Sequence, residues 1–304
     1  YHLTTYCTTA MCMKLVSIGE AMIELAIDGD VADIGVAGDT LNSSIYLKRA
    51  APNIQIDYAT RLGVEPFSAK IREFIAQQGI GTEAIESCPD GTPGIYAITT
   101  DTTGERSFTY WRDNAAARSV FLGLNGPDFS VLEGYDIIYL SGISLAILPE
   151  LTRTALLVWL AEYSAKGGRV VYDSNYRPRL WEKKEIAQAI NQTMWALCDI
   201  ALPSIDDEQA LTGESAKAVV ARFLAMGKIG ALKRGAAGPL CLVTGTTGNY
   251  APASCVVDTT AAGDSFNGAY LAAILGGLNQ EVALQAGHNL ASLVVGYKGA
   301  ILPA

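Results

Sequence analysis

Toward the C-terminal end, Val256-Val-Asp-Thr-Thr-Ala-Ala-Gly-Asp264-Ser-Phe-Asn-Gly-Ala-Tyr-Leu runs from an apolar, strand-like stretch into an apolar helical one through small residues. The pattern predicts a strand ending near Asp258 and a helix beginning near Gly263. Ala261, Ala262 and Gly263 leave the backbone unobstructed, so their N–H groups can face a phosphate at the positive end of the helix dipole. Donors so placed stabilise charge developing on a transferring phosphoryl group. Asp264 falls in the first helical turn, where a carboxylate is favoured and can receive a proton from an attacking hydroxyl. A plain N-terminal helix cap is the other reading of Asp264, and the local pattern weighs the two about equally.

Near the other end, Gly35-Val-Ala-Gly38-Asp39-Thr-Leu-Asn42 precedes a helix. Gly38 admits close backbone approach, and Asp39 and Asn42 offer polar groups able to grip hydroxyls. A loop with an Asp helix cap accounts for the same residues. His2 and His288 are too few and too far apart for a histidine-based centre.

The elements around these motifs alternate. Strand-like runs fall at Leu15–Ile18, Ile56–Thr60, Ile137–Leu140, Val170–Tyr172, Ile200–Leu202, Ala231–Lys233, and the pair Leu240–Val243 with Cys255–Val257. Helical runs such as Leu41–Ala50, Phe67–Gln78 and Pro149–Lys166 lie between them and stop at Pro52, Gly79 and Gly167-Gly168. The expected fold is an α/β layered domain with a mainly parallel central sheet flanked by helices. Gly94–Thr100 and Arg106–Arg112 break the alternation as a hairpin, with Tyr96, Ile98, Phe108 and Tyr110 on one face. With the β-compatible run Glu24–Val36 they predict a small sheet, a lid inserted at about 22–37 and 92–113. An antiparallel extension of the main sheet is the alternative. Residues 1–12 read as an extension and 13–304 as a single domain.

Half of the residues are apolar and 17% are charged, as in a folded globular chain. No apolar run approaches the ~20 residues that span a bilayer, so no membrane is expected as a partner. A net charge of −9 without a basic cluster excludes nucleic acid, and any anionic substrate must be held by local cations. Six cysteines form neither CxxC nor zinc spacing, which fits a reduced, cytoplasmic chain, with Cys241 and Cys255 as small core residues.

The run Asp258–Asp264 resembles the C-terminal signature of ribokinase-like (PfkB) sugar kinases, usually Asp-Thr-x-Gly-Ala-Gly-Asp. The resemblance runs in order from Lys14 to about Leu302. It implies that Asp264 is the catalytic base and that the amides of Ala261, Ala262 and Gly263 hold the developing charge. Ala261 stands where Gly is commoner, which is tolerable if its φ is negative. Lys233-Arg-Gly235-Ala-Ala-Gly238 is similar to the turn that approaches the ATP phosphates in this family, and Asn289 to an adenine contact. Ser204, with Asp207 or Glu208, stands at the family's Asn-x-x-Glu, which implies a water-mediated Mg²⁺ site. Gly38, Asp39 and Asn42 match its sugar-binding motif.

Three stretches resemble the 2-keto-3-deoxygluconate kinases within the family: Ile18–Glu24 with Gly38–Asn42, Gly104–Arg112, and Asp173–Trp181. That likeness implies that Tyr96, Tyr110, Arg112 and Arg177 surround an acid sugar, and that Asn175 and Arg177 also reach the nucleotide. Guanidinium suits a carboxylate because its planar fork makes two bonds, although without the resemblance a surface salt bridge is the preferred reading of Arg177. The expected activity is ATP- and Mg²⁺-dependent phosphorylation of the acid sugar by a dimer, or higher homo-oligomer, assembled through the lid. A kinase for a neutral sugar (fructokinase or ribokinase) and a silent sugar-acid sensor are the alternatives. A dinucleotide oxidoreductase is disfavoured because no GxGxxG opens the first helix. Gluconate or galactonate epimer preference and any monovalent-cation requirement stay open.

Overall fold

A computed structural model describes residues 13–100 and 106–303. The first half runs β1 (Lys14–Ile18), β2 (Met22–Asp28), β3 (Val31–Ala37), α1 (Asp39–Ala50), β4 (Gln55–Leu62), α2 (Pro66–Gln77), β5 (Ile85–Ser87), β6 (Ile95–Thr100) and β7 (Arg106–Trp111). A short hairpin, β8 (Leu122–Gly123) and β9 (Gly126–Pro127), leads into β10 (Ile137–Ser141), α3 (Gly142–Ala146), α4 (Glu150–Ala165), β11 (Arg169–Asp173) and α5 (Lys184–Leu197). The chain finishes with β12 (Ile200–Leu202), α6 (Ile205–Thr212), α7 (Ala216–Met226), β13 (Ile229–Leu232), β14 (Leu240–Cys241), α8 (Ala262–Leu275) and α9 (Gln280–Val294).

Eight strands form the main sheet in the order β14-β13-β12-β11-β10-β1-β4-β5, parallel except for β14. Successive residues of a strand point to opposite faces, and here each face is apolar. Val16, Ile138, Leu140 and Tyr172 join one core with Leu156, Trp195, Leu211 and Phe223 from α4 to α7. Leu15, Ile137, Tyr139 and Val171 join the other with residues of α1, α2, α8 and α9. Helices therefore cover both faces, as the continuous apolar runs require. Among the described residues no helix is long and apolar enough to cross a membrane.

A second sheet, β3-β2-β6-β7, is built from two separate segments. The register Tyr96↔Tyr110 and Ile98↔Phe108 puts the four expected residues on one face, and the Tyr96 and Tyr110 rings stack at 5.6 Å. The turn expected at Asp101–Glu105 and the extension 1–12 lie outside the described residues.

Helix α8 packs between α1 and α9. Gly268 makes the first contact possible, because a Cβ there would lie 2.5 Å from Tyr46 Cβ and 2.7 Å from the Ser43 carbonyl oxygen. The close approach brings the N-terminal turns of α1 and α8 together.

The segment before α8 differs from expectation. Cys255–Val257 is not a strand: the Val257 and Asp258 N–H groups bond to the Val295 carbonyl beyond α9, at 2.7 and 3.1 Å. Val256, Val257 and Cys255 are accordingly exposed, so of the two thiols expected in the core Cys241 is buried and Cys255 is not. The last helix spans Gln280–Val294. Ala261, expected at negative φ, is left-handed at φ 58. The turn from Thr259, closed by Ala262 N–H to its carbonyl at 3.2 Å, can enter α8 only through that conformation. An alanine held there costs about 1–2 kcal/mol relative to glycine's free access. We predict that Ala261→Gly stabilises the fold by roughly 1 kcal/mol, part of the relief being offset by glycine's greater freedom when unfolded. An unchanged or lower urea midpoint would count against strain at this position.

Candidate active site

Because the strands are parallel, their C-terminal ends share one edge, the place where open α/β sheets form a crevice. Ser141 ends β10, Asp173 ends β11, Ser204 follows β12 and Lys233 follows β13. Glu20 follows β1, next to α1, and the N-terminal turns of α1 and α8 complete the rim.

Asp264 is half-buried in the first turn of α8 and accepts a 2.9 Å hydrogen bond from Asn42 Nδ2. Protein walls the carboxyl on most sides, and that burial, with the charge of Asp39 next, pushes its pKa up to about 8. Asn42 and Lys233 pull the other way, and Asp173 adds to the rise. A carboxyl so placed exchanges a proton near neutral pH, which a solvent-exposed helix cap does not. Gly263 and Asp264 carry first-turn N–H groups, which have no carbonyl inside the helix to bond.

Asp39 opens α1 and faces this group. Its Oδ2 accepts from Ser141 Oγ at 2.5 Å and from Asn175 Nδ2 at 2.6 Å. Gly38 caps the helix where a Cβ would lie 2.2 Å from the Glu20 carbonyl oxygen. Asn175 is itself left-handed, at φ 27, which Asn tolerates better than most residues.

Lys233 is fixed from behind. Its ammonium donates to Asp173 Oδ1 at 2.8 Å and to Asn267 Oδ1 at 3.2 Å, while Asn267 Nδ2 donates to Asp173 Oδ2 at 2.6 Å. The same ammonium lies 3.8 Å from where a Cβ on Gly263 would stand, beside the N-terminus of α8. Gly235 and Gly238, both at positive φ, shape the turn that follows. Asn289, exposed on α9, accepts a bond from Gln285.

The two candidate metal acids part company. Asp207 accepts from Ser174 Oγ at 3.0 Å and pairs with Arg177 at 3.4 Å; burial raises its pKa. Ser204 N–H bonds to the same Ser174 hydroxyl. Glu208 turns the other way, into the helix layer, where it accepts from Trp195 Nε1 at 3.1 Å and from Arg222 at 2.8 Å. It is spent on packing α5, α6 and α7. Among the described residues no group of three His, Cys, Asp or Glu could ligate a metal.

On the small sheet, Tyr96 is buried and donates to Glu24 through a very short bond, whereas Tyr110 is exposed. Burial, the Glu24 charge and the bond to Glu24 raise the Tyr96 pKa. Arg112, read as a free cation for a carboxylate, is buried and paired with Glu20. Arg177 is more than half exposed and held by Asp207 and its own neighbour's carbonyl. Sequence reasoning missed Glu20, Ser141, Asp173 and Asn267. Asn267 had a signal: it stands three residues after Asp264, on the same helical face.

Relatives agree with this architecture. A 2-dehydro-3-deoxygluconokinase of Dickeya dadantii is 42% identical over 299 residues, covering 94% of this chain and 96% of its own. The crystal structure of 2-dehydro-3-deoxygluconokinase from Thermotoga maritima superposes with a TM-score of 0.80 at 22% identity, over 95% of this chain and 94% of that one. Aminoimidazole riboside kinase from Salmonella enterica, solved with its riboside and an ATP analog, gives 0.79 at 22% over 94% and 95%. At such identities the two structures speak for the fold alone. The family model of the pfkB carbohydrate kinases matches residues 13–304, and the chain belongs to that family.

Proposed function

We propose that this chain transfers the γ-phosphoryl group of ATP to the terminal hydroxyl of 2-keto-3-deoxygluconate, giving the 6-phosphate. The observation that carries the reading is Asp264: a carboxyl with its pKa near 8, held by Asn42 at the N-terminus of a helix. The 42% identity to a 2-dehydro-3-deoxygluconokinase over nearly the whole chain supports the choice of sugar.

In this mechanism Asp264 accepts the hydroxyl proton as the sugar oxygen bonds to phosphorus and the bond to the ADP oxygen breaks. The amides of Ala261, Ala262 and Gly263 and the ammonium of Lys233 face the three equatorial oxygens, and the Ala262 N–H must then share its bond to Thr259. Lys233, Gly235 and Gly238 line the phosphates; Ser204, Asn175, Arg177 and Asn289 extend the nucleotide subsite. Gly38, Asp39, Asn42, Tyr96, Tyr110 and Arg112 surround the sugar. The small sheet acts as a lid that excludes water, and residues 13–304 work as one kinase domain.

Of the two candidate metal acids Asp207 alone faces the crevice, and one protein carboxylate would suit a Mg²⁺ that takes its other ligands from phosphate oxygens and water. Bound there, the ion neutralises charge on the β- and γ-phosphates. Glu208 has no part in that site. A cytoplasmic location fits the free thiols and the ATP requirement.

Two measurements test this reading. ATP turnover across acid and neutral sugars is expected to favour the keto-deoxy acid, with kcat/KM rising with pH and levelling off above about 8 as Asp264 loses its proton. Asp264→Asn is expected to lower kcat by ~10²–10⁴ and to abolish that rise; near-normal turnover in this variant would remove the assignment. We also propose that the lid pairs with a second copy, because Phe108 and Tyr110 on one face and Ile34 and Trp111 on the other are exposed. Light scattering should give a dimer mass at micromolar concentration, and a strict monomer would refute the pairing.

A further inference from the structure

Glu20 follows β1 of the main sheet and Arg112 follows β7 of the small one, and an ion pair joins them. Their side chains are 1% and 8% exposed. Burying two charges costs several kcal/mol per ion, which mutual attraction offsets only when the remaining polar atoms are also bonded. Here they are not: Glu20 Oε1 and Arg112 Nε are both buried without a hydrogen-bond partner among the described residues. The position is tightly built around them. A Cβ on Gly94 would lie 2.4 Å from Glu20 Oε1 and 3.1 Å from Arg112 Cβ. Burial raises the Glu20 pKa, Arg112 and Arg118 oppose the rise, and Asp39 adds to it. The Glu20 carbonyl presses on Gly38 at the start of α1. The pair therefore stands on the flank of the crevice, between the sugar-side end of α1 and the root of the small sheet.

We propose that Glu20 is a positioning residue that sets sugar specificity by masking the charge of Arg112, an assignment that rests on the sugar-acid reading above. Alone, a buried guanidinium binds any carboxylate or phosphate strongly. Joined to Glu20 it is neutral overall, and Glu20 Oε1 and Arg112 Nε stay walled in beside Gly94 without bonds among the described residues. The pairing weakens the hold on an anion, so a product carrying a second negative charge can leave. A strut serving stability alone would hold the two sheets together and leave substrate preference unmoved.

The test uses the purified full chain with ATP and compares 2-keto-3-deoxygluconate with fructose as a neutral ketose. Glu20→Gln keeps an oxygen facing Arg112 but removes the charge. At an effective dielectric of about 20 one carboxylate repels a neighbouring one appreciably. The KM for the acid is therefore expected to fall, and the acid-to-fructose ratio of kcat/KM to rise roughly tenfold or more, with kcat little changed. Glu20→Asp draws the charge back by one methylene and should raise the ratio less; it decides the matter if the Gln variant does not fold. Arg112→Ala marks complete loss of the guanidinium. A ratio that stays level or falls in the folded variants overturns the proposal and leaves the pair as a strut. Wild-type protein that ignores the acid sugar overturns the sugar-acid reading, and this proposal with it, before any variant is made.

Discussion

Carboxylates crowd the C-terminal edge of the main sheet, and the site is organised by how each is held. Asp39, Asp173, Asp207 and Asp264 converge there, in a protein whose net charge is already −9. Among the described residues two of them are in ion pairs: Asp173 with Lys233 and, more loosely, Asp207 with Arg177. Asp39 is held by a serine and an asparagine, and Asp264 by one asparagine. Neutral donors satisfy lone pairs without supplying a full opposite charge, so Asp264 remains in a field that favours its protonated form. A salt bridge in place of Asn42 would have stabilised the carboxylate and lowered its pKa.

That economy of cations depends on packing. Gly268 lets α1 close on α8, which is what brings Asn42 to Asp264. Asn267, one residue earlier, is fully buried beneath them and ties the same helix to Asp173 and Tyr139. Two successive residues of α8 thus serve approach and registration, while the turn before it places the amides. The left-handed Ala261 is a local cost of that turn, borne where the chain must change direction within a few residues.

Much of this was legible in the sequence, because the signals were local. Alternating apolar runs specified the layers, and small residues ahead of an apolar helix marked the turn that opens α8. The errors share a different cause. Asp207 and Glu208 are adjacent in sequence but about 100° apart around α6, and only helix phase separates the crevice from the core. Leu211, three residues after Glu208 and buried, carried that phase information. Arg112 was read by its charge, whereas its meaning depends on Glu20, 92 residues earlier. Cys255–Val257 had strand composition, but the N–H groups of Val257 and Asp258 bond to the Val295 carbonyl at the end of α9 instead.

The small sheet has a consequence for how the chain acquires its fold. Its central pairing, Ile23 with Ile95, joins strands separated by β3, α1, β4, α2 and β5. Contacts of such sequence separation carry a loop-closure entropy that local helices do not, and they form slowly. The hairpins β2–β3 and β6–β7 can each close early, but two-stranded ribbons are marginal alone in water. They become a sheet only once the intervening body has brought their edges together. Until then β2 and β6 present unpaired edges next to apolar faces, the feature most open to pairing with another chain. The order of assembly makes the crevice the last part of the molecule to be enclosed.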